Sequence, residues 1–196
     1  MKRTKCFLVV LLCAALLCGC ARTSTLAPAS LSESERRLGW LLGLDHDQWL
    51  YDFTTGDEIQ SIHIAVYRLA DGQWERASGG GGYACTAGKG RMALGFDDLA
   101  EVVRFAVQGN DMNVRSSGVR TSGSHSDESL SRLAVCLNQA VAIVPDQEIP
   151  MALQVFSSQM EIPNYSLDAF HTPEVIADDG HEAVYAVTIT FSSEPL

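Results

Sequence analysis

The chain has 196 residues, 46% of them hydrophobic and 19% charged, with 24 acidic side chains against 14 basic ones and a formal net charge of −10. That length fills one domain with a sizeable core and hardly two. The acidic balance argues against nucleic acid and anionic lipid surfaces as partners, because both need Lys and Arg to neutralise phosphates.

Lys2, Arg3 and Lys5 form a basic tip ahead of an apolar run over residues 7–17. The run is shorter than the roughly 20 apolar residues that a membrane-spanning helix needs. With small residues near a cleavage point, the pattern is that of a secretory signal. Leu17-Cys18-Gly19-Cys20 resembles the lipobox of bacterial lipoproteins: an apolar residue, a small residue, Gly or Ala, then Cys, with Cys18 at the small-residue place. The resemblance implies that residues 1–19 are a signal peptide and that the Cys20 thiol carries a diacylglyceryl group. It also implies that the protein is held by lipid, of the palmitate kind, on the extracytoplasmic face of a cell membrane or outer envelope. Two or more acyl chains give stable attachment, at about 0.8 kcal/mol per buried CH2. The competing reading is an ordinary signal cut near Ala21 without lipid. Removing residues 1–19 takes away three basic residues and no acidic one, so the rest is more acidic still.

Residues 20–36, small and polar with Thr23, Ser24, Thr25, Pro28, Ser30, Ser32 and Ser34, read as the lipidated Cys and a flexible tether. Residues 37–196 then form a single domain. At its entry Ser32 and Glu35 have the spacing of a capping box, and Leu38, Leu41 and Leu42 have helical spacing, weakened by Gly39 and Gly43. A short helix and an irregular packing segment are both admissible.

The body of the chain alternates with a period of two. Segment 59–69 places Ile62, Ile64 and Val66 on one face and His63, Ala65, Tyr67 and Leu69 on the other, which predicts a central strand covered on both sides. Asp71-Gly72 predicts a tight hairpin into a run starting at Trp74. Further strands are expected at 49–53, 91–96, 102–108, 114–120, 135–144, 151–156 and 183–192. The last puts Tyr185, Val187, Ile189 and Phe191 inward, with Thr188, Thr190 and Ser192 on a half-exposed face. Leu99, Val102, Val103 and Ala106 also fit a helical face, but the alternation of Val103, Phe105 and Val107 favours strand. The joints fall at 79–82, 109–111, 122–126, 145–146 and 178–180. The expected fold is all-β, an antiparallel sandwich or partly open barrel with at most one or two short helices.

The mature region keeps two cysteines, Cys85 and Cys136, which form either a disulfide or two small buried hydrophobes. The Gly-rich run 79–90 departs from a phosphate-binding loop in its spacing and in having Gly90 where Ser or Thr would stand; it reads as two turns around a short strand. Asp45, His46 and Asp47 form one weak metal-ligand cluster, and Asp178, Asp179, His181 and Glu182 another, with Asp-Asp-Gly turn chemistry as the plain alternative. His63 reads as a core histidine, and His125 and His171 fall in loops. No nucleophile elbow is present. Trp40, Trp49 and Trp74 suffice for a sugar platform or simply for a core. No cofactor motif is found. The reading that follows is a membrane-anchored binding or structural module, tethered through Cys20, with a protein or glycan ligand and no nucleic acid. The alternative is a hydrolase using a carboxylate pair or a metal held by Asp45, His46, Asp178 and His181.

Overall fold

A computed structural model describes residues 24–41, 48–109, 113–120 and 130–196. In chain order the elements are β1 (Thr25–Pro28), α1 (Glu33–Leu41), β2 (Gln48–Thr55), β3 (Ser61–Ala70), β4 (Gln73–Ala84), β5 (Gly88–Gly95), β6 (Val102–Gly109) and β7 (Asn113–Arg120). They continue with β8 (Ser131–Cys136), β9 (Val141–Ala142), β10 (Glu148–Ser157), a 3-10 turn (Leu167–His171), α2 (Glu174–Ala177) and β11 (Ala183–Ser192). The strands build two antiparallel sheets, one ordered β7-β6-β5-β2-β1-β9 and the other β4-β3-β11-β10-β8. This is the all-β sandwich expected from the period-two pattern.

The core lies between the sheets, where every second residue is buried. Leu26, Tyr51, Phe53, Met92 and Leu94 of the first sheet face Ile62, Ile64, Tyr185, Val187, Ile189 and Phe191 of the second. Phe53 and Phe191 meet across the gap with ring centroids 5.7 Å apart. Asp71 and Gly72 both take positive φ, 50° and 74°, and close the β3–β4 hairpin as a two-residue turn.

The second sheet is covered on its outer side as well, but over one half only. Leu153, Val155, Val184 and Ala186 pack under Tyr165, Ala169, Phe170 and Ile176, which come from the chain between β10 and β11. Trp74 stacks on Phe170, ring centroids 5.2 Å apart, and its indole N–H donates to the Phe170 carbonyl at 2.7 Å. Thr188, expected to be half-exposed, is 1% exposed, with its hydroxyl donating to Glu148 at 3.2 Å. Gln154, also buried, accepts from the Leu99 N–H at 2.7 Å and donates to the Asp97 carbonyl at 3.2 Å, holding the turn before β6.

Three local expectations are corrected. The stretch expected as a flexible tether contributes β1, which pairs with β2 on one side and β9 on the other and buries Leu26 completely. Pairing on both sides satisfies its backbone, and Leu26 in the inward register joins the core. The Gly-rich run 79–82, expected as a turn, continues β4, with register shifts against β3 between Ile64 and Tyr67. Residues 135–144, expected as one strand, divide into β8 and β9 in different sheets, because the chain crosses the sandwich at residues 137–140.

Helix α1 opens with the predicted capping box: the Glu35 carboxylate accepts from the Ser32 N–H at 2.7 Å, and the Ser32 hydroxyl accepts from the Glu35 N–H at 3.3 Å. Leu38 and Leu41 stay exposed. What ties the helix to the sheet is Arg91, forked onto Asp52 at 2.6 and 3.1 Å and reaching Glu35 at 2.9 Å. Hydrogen bonds from Ser32, then Arg91, hold the Glu35 carboxyl at about 2 instead of 4.5. Because the folded value is the lower one, this contribution is complete above pH 4.5 and is lost as pH falls toward 2. Thermal melts over that range should show a decline in stability that Glu35→Gln partly flattens; an unchanged slope in the variant would contradict the coupling.

Candidate functional site

Cys20, Asp45, His46, Asp47 and His125 lie outside the described residues, as does the Trp40 side chain. The second proposed metal cluster is described, and it disperses. Asp178 is exposed, and Glu182 turns to Ser158, accepting from its N–H at 2.7 Å. Asp179 and His181 converge instead on the Tyr165 hydroxyl, with His181 Nε2 at 2.7 Å. Tyr165 has one proton, which it gives to the Asp179 carboxylate, so His181 donates from Nε2 and its buried Nδ1 has no partner. Burial, then Asp179, raises the Tyr165 pKa and keeps the phenol neutral. Among the described residues no three His, Cys, Asp or Glu side chains assemble to hold a metal.

Cys85 and Cys136 are both free and buried. Cys85 follows β4 and Cys136 ends β8, the opposite edges of one sheet. Four strand spacings of about 4.8 Å separate those edges, far beyond the roughly 4.4–6.8 Å between Cα atoms that a disulfide allows. In this arrangement the two thiols are unpaired and pack as small core hydrophobes, and burial pushes Cys136 up to about 12. Trp49 and Trp74 do not share a platform: Trp74 is committed to Phe170, while Trp49 lies in the other sheet, 37% exposed.

At the border of the cover, the outer face of the second sheet carries a group of polar side chains between two hollows. Alternation along β3 turns His63, Ala65 and Tyr67 outward, and β11 adds Thr188, Thr190 and Ser192. Glu148, at the start of β10 and opposite Thr190, completes the surface. Its Oε1 accepts from the Tyr67 hydroxyl at 2.5 Å and the Thr188 hydroxyl at 3.2 Å. Burial, then Glu148, pushes the Tyr67 phenol up to about 12, so it stays a donor at neutral pH. A hollow of 240 Å³ lies on one side of Glu148, with His63, Arg76 and Asp146 on its walls. A cleft of 480 Å³ lies on the other, between residues 135–150 and 164–171. Glu148 lines both.

Asp146 adopts φ 63° and accepts from the Ser192 hydroxyl at 2.6 Å, the Ser193 N–H at 3.1 Å and the Ser193 hydroxyl at 2.5 Å. These bonds lower its pKa and pin the C-terminal residues beside the hollow. Ser61 and His63 are 2.8 Å apart, yet the Ser61 proton goes to the Glu194 carbonyl at 2.6 Å. His63 must then donate to Ser61 through Nε2. A general base would accept there, so this pair is not set to generate a nucleophile.

The larger cleft has an apolar floor, including Leu137, Ile149 and Pro150, and a rim of Asn138, Gln139, Asn164, Ser166, Asp168 and His171. No Lys or Arg lines it. Amide and carboxylate groups around an apolar base suit a ligand rich in hydroxyl or amide groups, and the volume falls within the roughly 300–1,000 Å³ usual for small-molecule pockets. The sequence placed His63 and Tyr67 on one face of a central strand, with His63 as a core histidine, but gave no reason to join them to Glu148, since that requires the order β3-β11-β10. Among the described residues no helix is long and apolar enough to cross a membrane. No family model, no curated protein and no solved structure matches the chain.

Proposed function

We propose that this protein is a lipid-anchored extracytoplasmic binding module whose cleft beside Glu148 takes a glycan or peptide segment of the cell envelope. The observation that carries the reading is the cleft itself: an apolar floor, an amide-rich rim and neither Lys nor Arg. The address rests on Leu17-Cys18-Gly19-Cys20, which supports acylation of Cys20. The two histidine-containing clusters give a hydrolase no support, because in each the imidazole Nε2 donates to the neighbouring hydroxyl.

Melting the soluble domain with neutral glycans, short peptides and cell-wall fragments tests the binding half. A ligand at 100 times its Kd adds about 2.7 kcal/mol of stability, a shift of several degrees. Replacing Glu148 by Gln together with Asn138 by Ala should shrink the shift for the true ligand class. No shift with any class would leave a structural role only. Acyl labelling of the full chain, lost in Cys20→Ala, tests the address.

A further inference from the structure

Ser24 is the first described residue, and only Ala21, Arg22 and Thr23 stand between it and Cys20. Four residue steps span at most about 14 Å. Ser24 is also held firmly: its hydroxyl accepts from the Gly56 N–H at 3.0 Å and donates to Glu58 at 2.9 Å, and its carbonyl accepts from the Ile143 N–H at 2.9 Å. The domain therefore begins almost at the lipidation site, with no slack beyond those three residues.

The end of the sandwich that Ser24 belongs to follows from the registers. Thr25 pairs with Thr54 near the end of β2 and with Ala142 at the end of β9. From β2 the chain enters β3 through residues 56–60, from β4 it enters β5 through residues 85–87, and from β9 it enters β10 through residues 143–147. All three loops lie at one end. The turn at residues 96–101, between the far end of β5 and the start of β6, lies at the other. Strands of about ten residues put roughly 30 Å between the two ends.

Resting on the lipid-anchor reading, we propose that the end formed by residues 56–60, 85–87 and 143–147 faces and touches the bilayer that holds Cys20, so that the cleft around Glu148 opens beside the headgroup layer. Val144, 49% exposed, and Pro145 are available for contact there. Exposed Asp57, Glu58 and Asp146 make the same end acidic, which favours a zwitterionic surface over an anionic one. The ligand is then one that the envelope presents close to the membrane.

The test uses the acylated full chain in zwitterionic phospholipid vesicles containing a headgroup-linked quencher, with a fluorophore on an introduced cysteine, either Asp57→Cys or Glu101→Cys. Both positions are exposed, whereas the native Cys85 and Cys136 are buried. The Asp57 probe should lose roughly half its emission and the Glu101 probe less than about a tenth, given their separation. Equal quenching of the two, or stronger quenching at residue 101, overturns the orientation while leaving the anchor intact. If vesicle binding survives Cys20→Ala, or the wild type fails to bind, the anchor reading falls and the orientation falls with it.

Discussion

Replacing Leu26 by Ala is expected to cost about 2–5 kcal/mol, which is the range for emptying a fully buried Leu site. Against a typical domain stability of about 5–15 kcal/mol this is a large fraction. Leu26 is 0% exposed and sits in β1, between β2 and β9, so its side chain fills the inner face where the first sheet meets the core. Urea unfolding should show the midpoint falling with little change in slope. A chain starting at residue 37 should fare worse. It lacks β1 altogether, leaving β2 paired with β5 alone and β9, only two residues long, without any neighbour in its sheet. The expected result is loss of cooperative unfolding, compared with a chain starting at residue 21. If the shorter chain melts as cooperatively as the longer one, β1 is not an integral strand.

The second large effect is at Phe53. Its ring is 3% exposed, meets Phe191 across the sandwich and lies directly over Gly90, its partner on β5. A Cβ built on Gly90 would fall 2.1 Å from the Phe53 ring and 2.7 Å from the Gln108 carbonyl oxygen. Glycine is therefore required there by close approach, not by turn geometry. Phe53→Ala should cost about 3–5 kcal/mol. Gly90→Ala should cost about 1–3 kcal/mol, because the ring must leave its place beside Phe191. The two changes share a cause, so the double variant should lose clearly less than the sum of the singles. Strict additivity in denaturant unfolding would show that the ring and the glycine do not constrain each other. The Gln108 carbonyl is backbone and cannot swing aside, so a part of the Gly90 penalty should persist even without the ring.

The outcome at individual segments shows what kind of information a linear pattern holds. Ser32 and Glu35 could be paired from spacing alone, because a capping box is closed within four residues. The Asp71-Gly72 turn was legible for the same reason. The cover over the second sheet was not, since Tyr165, Phe170 and Ile176 come from a loop, a five-residue 3-10 turn and a four-residue helix, each too short to show a period. Asp179 and His181 looked like metal ligands because both residue types occur at such sites. Which partner they take depended on Tyr165, fourteen residues upstream of Asp179. Glu148 carried no signal at all: its neighbours Tyr67 and Thr188 are 81 and 40 residues distant in sequence.

The amino-acid sequence by itself determined the alternation that makes the chain a two-sheet sandwich, the tight turn at Asp71-Gly72 and the capped start of α1. Each depends on side chains and backbone within a few residues of one another. It also supplied the expectation that Cys20 is acylated. Only the tertiary structure decided that the supposed tether is an interior strand, that Cys85 and Cys136 stand at opposite edges of one sheet, and that Tyr67, Thr188 and Glu148 meet at the border of a cleft. Those outcomes follow from strand order, which is settled by long-range burial of the inward residues and leaves no local trace in the chain.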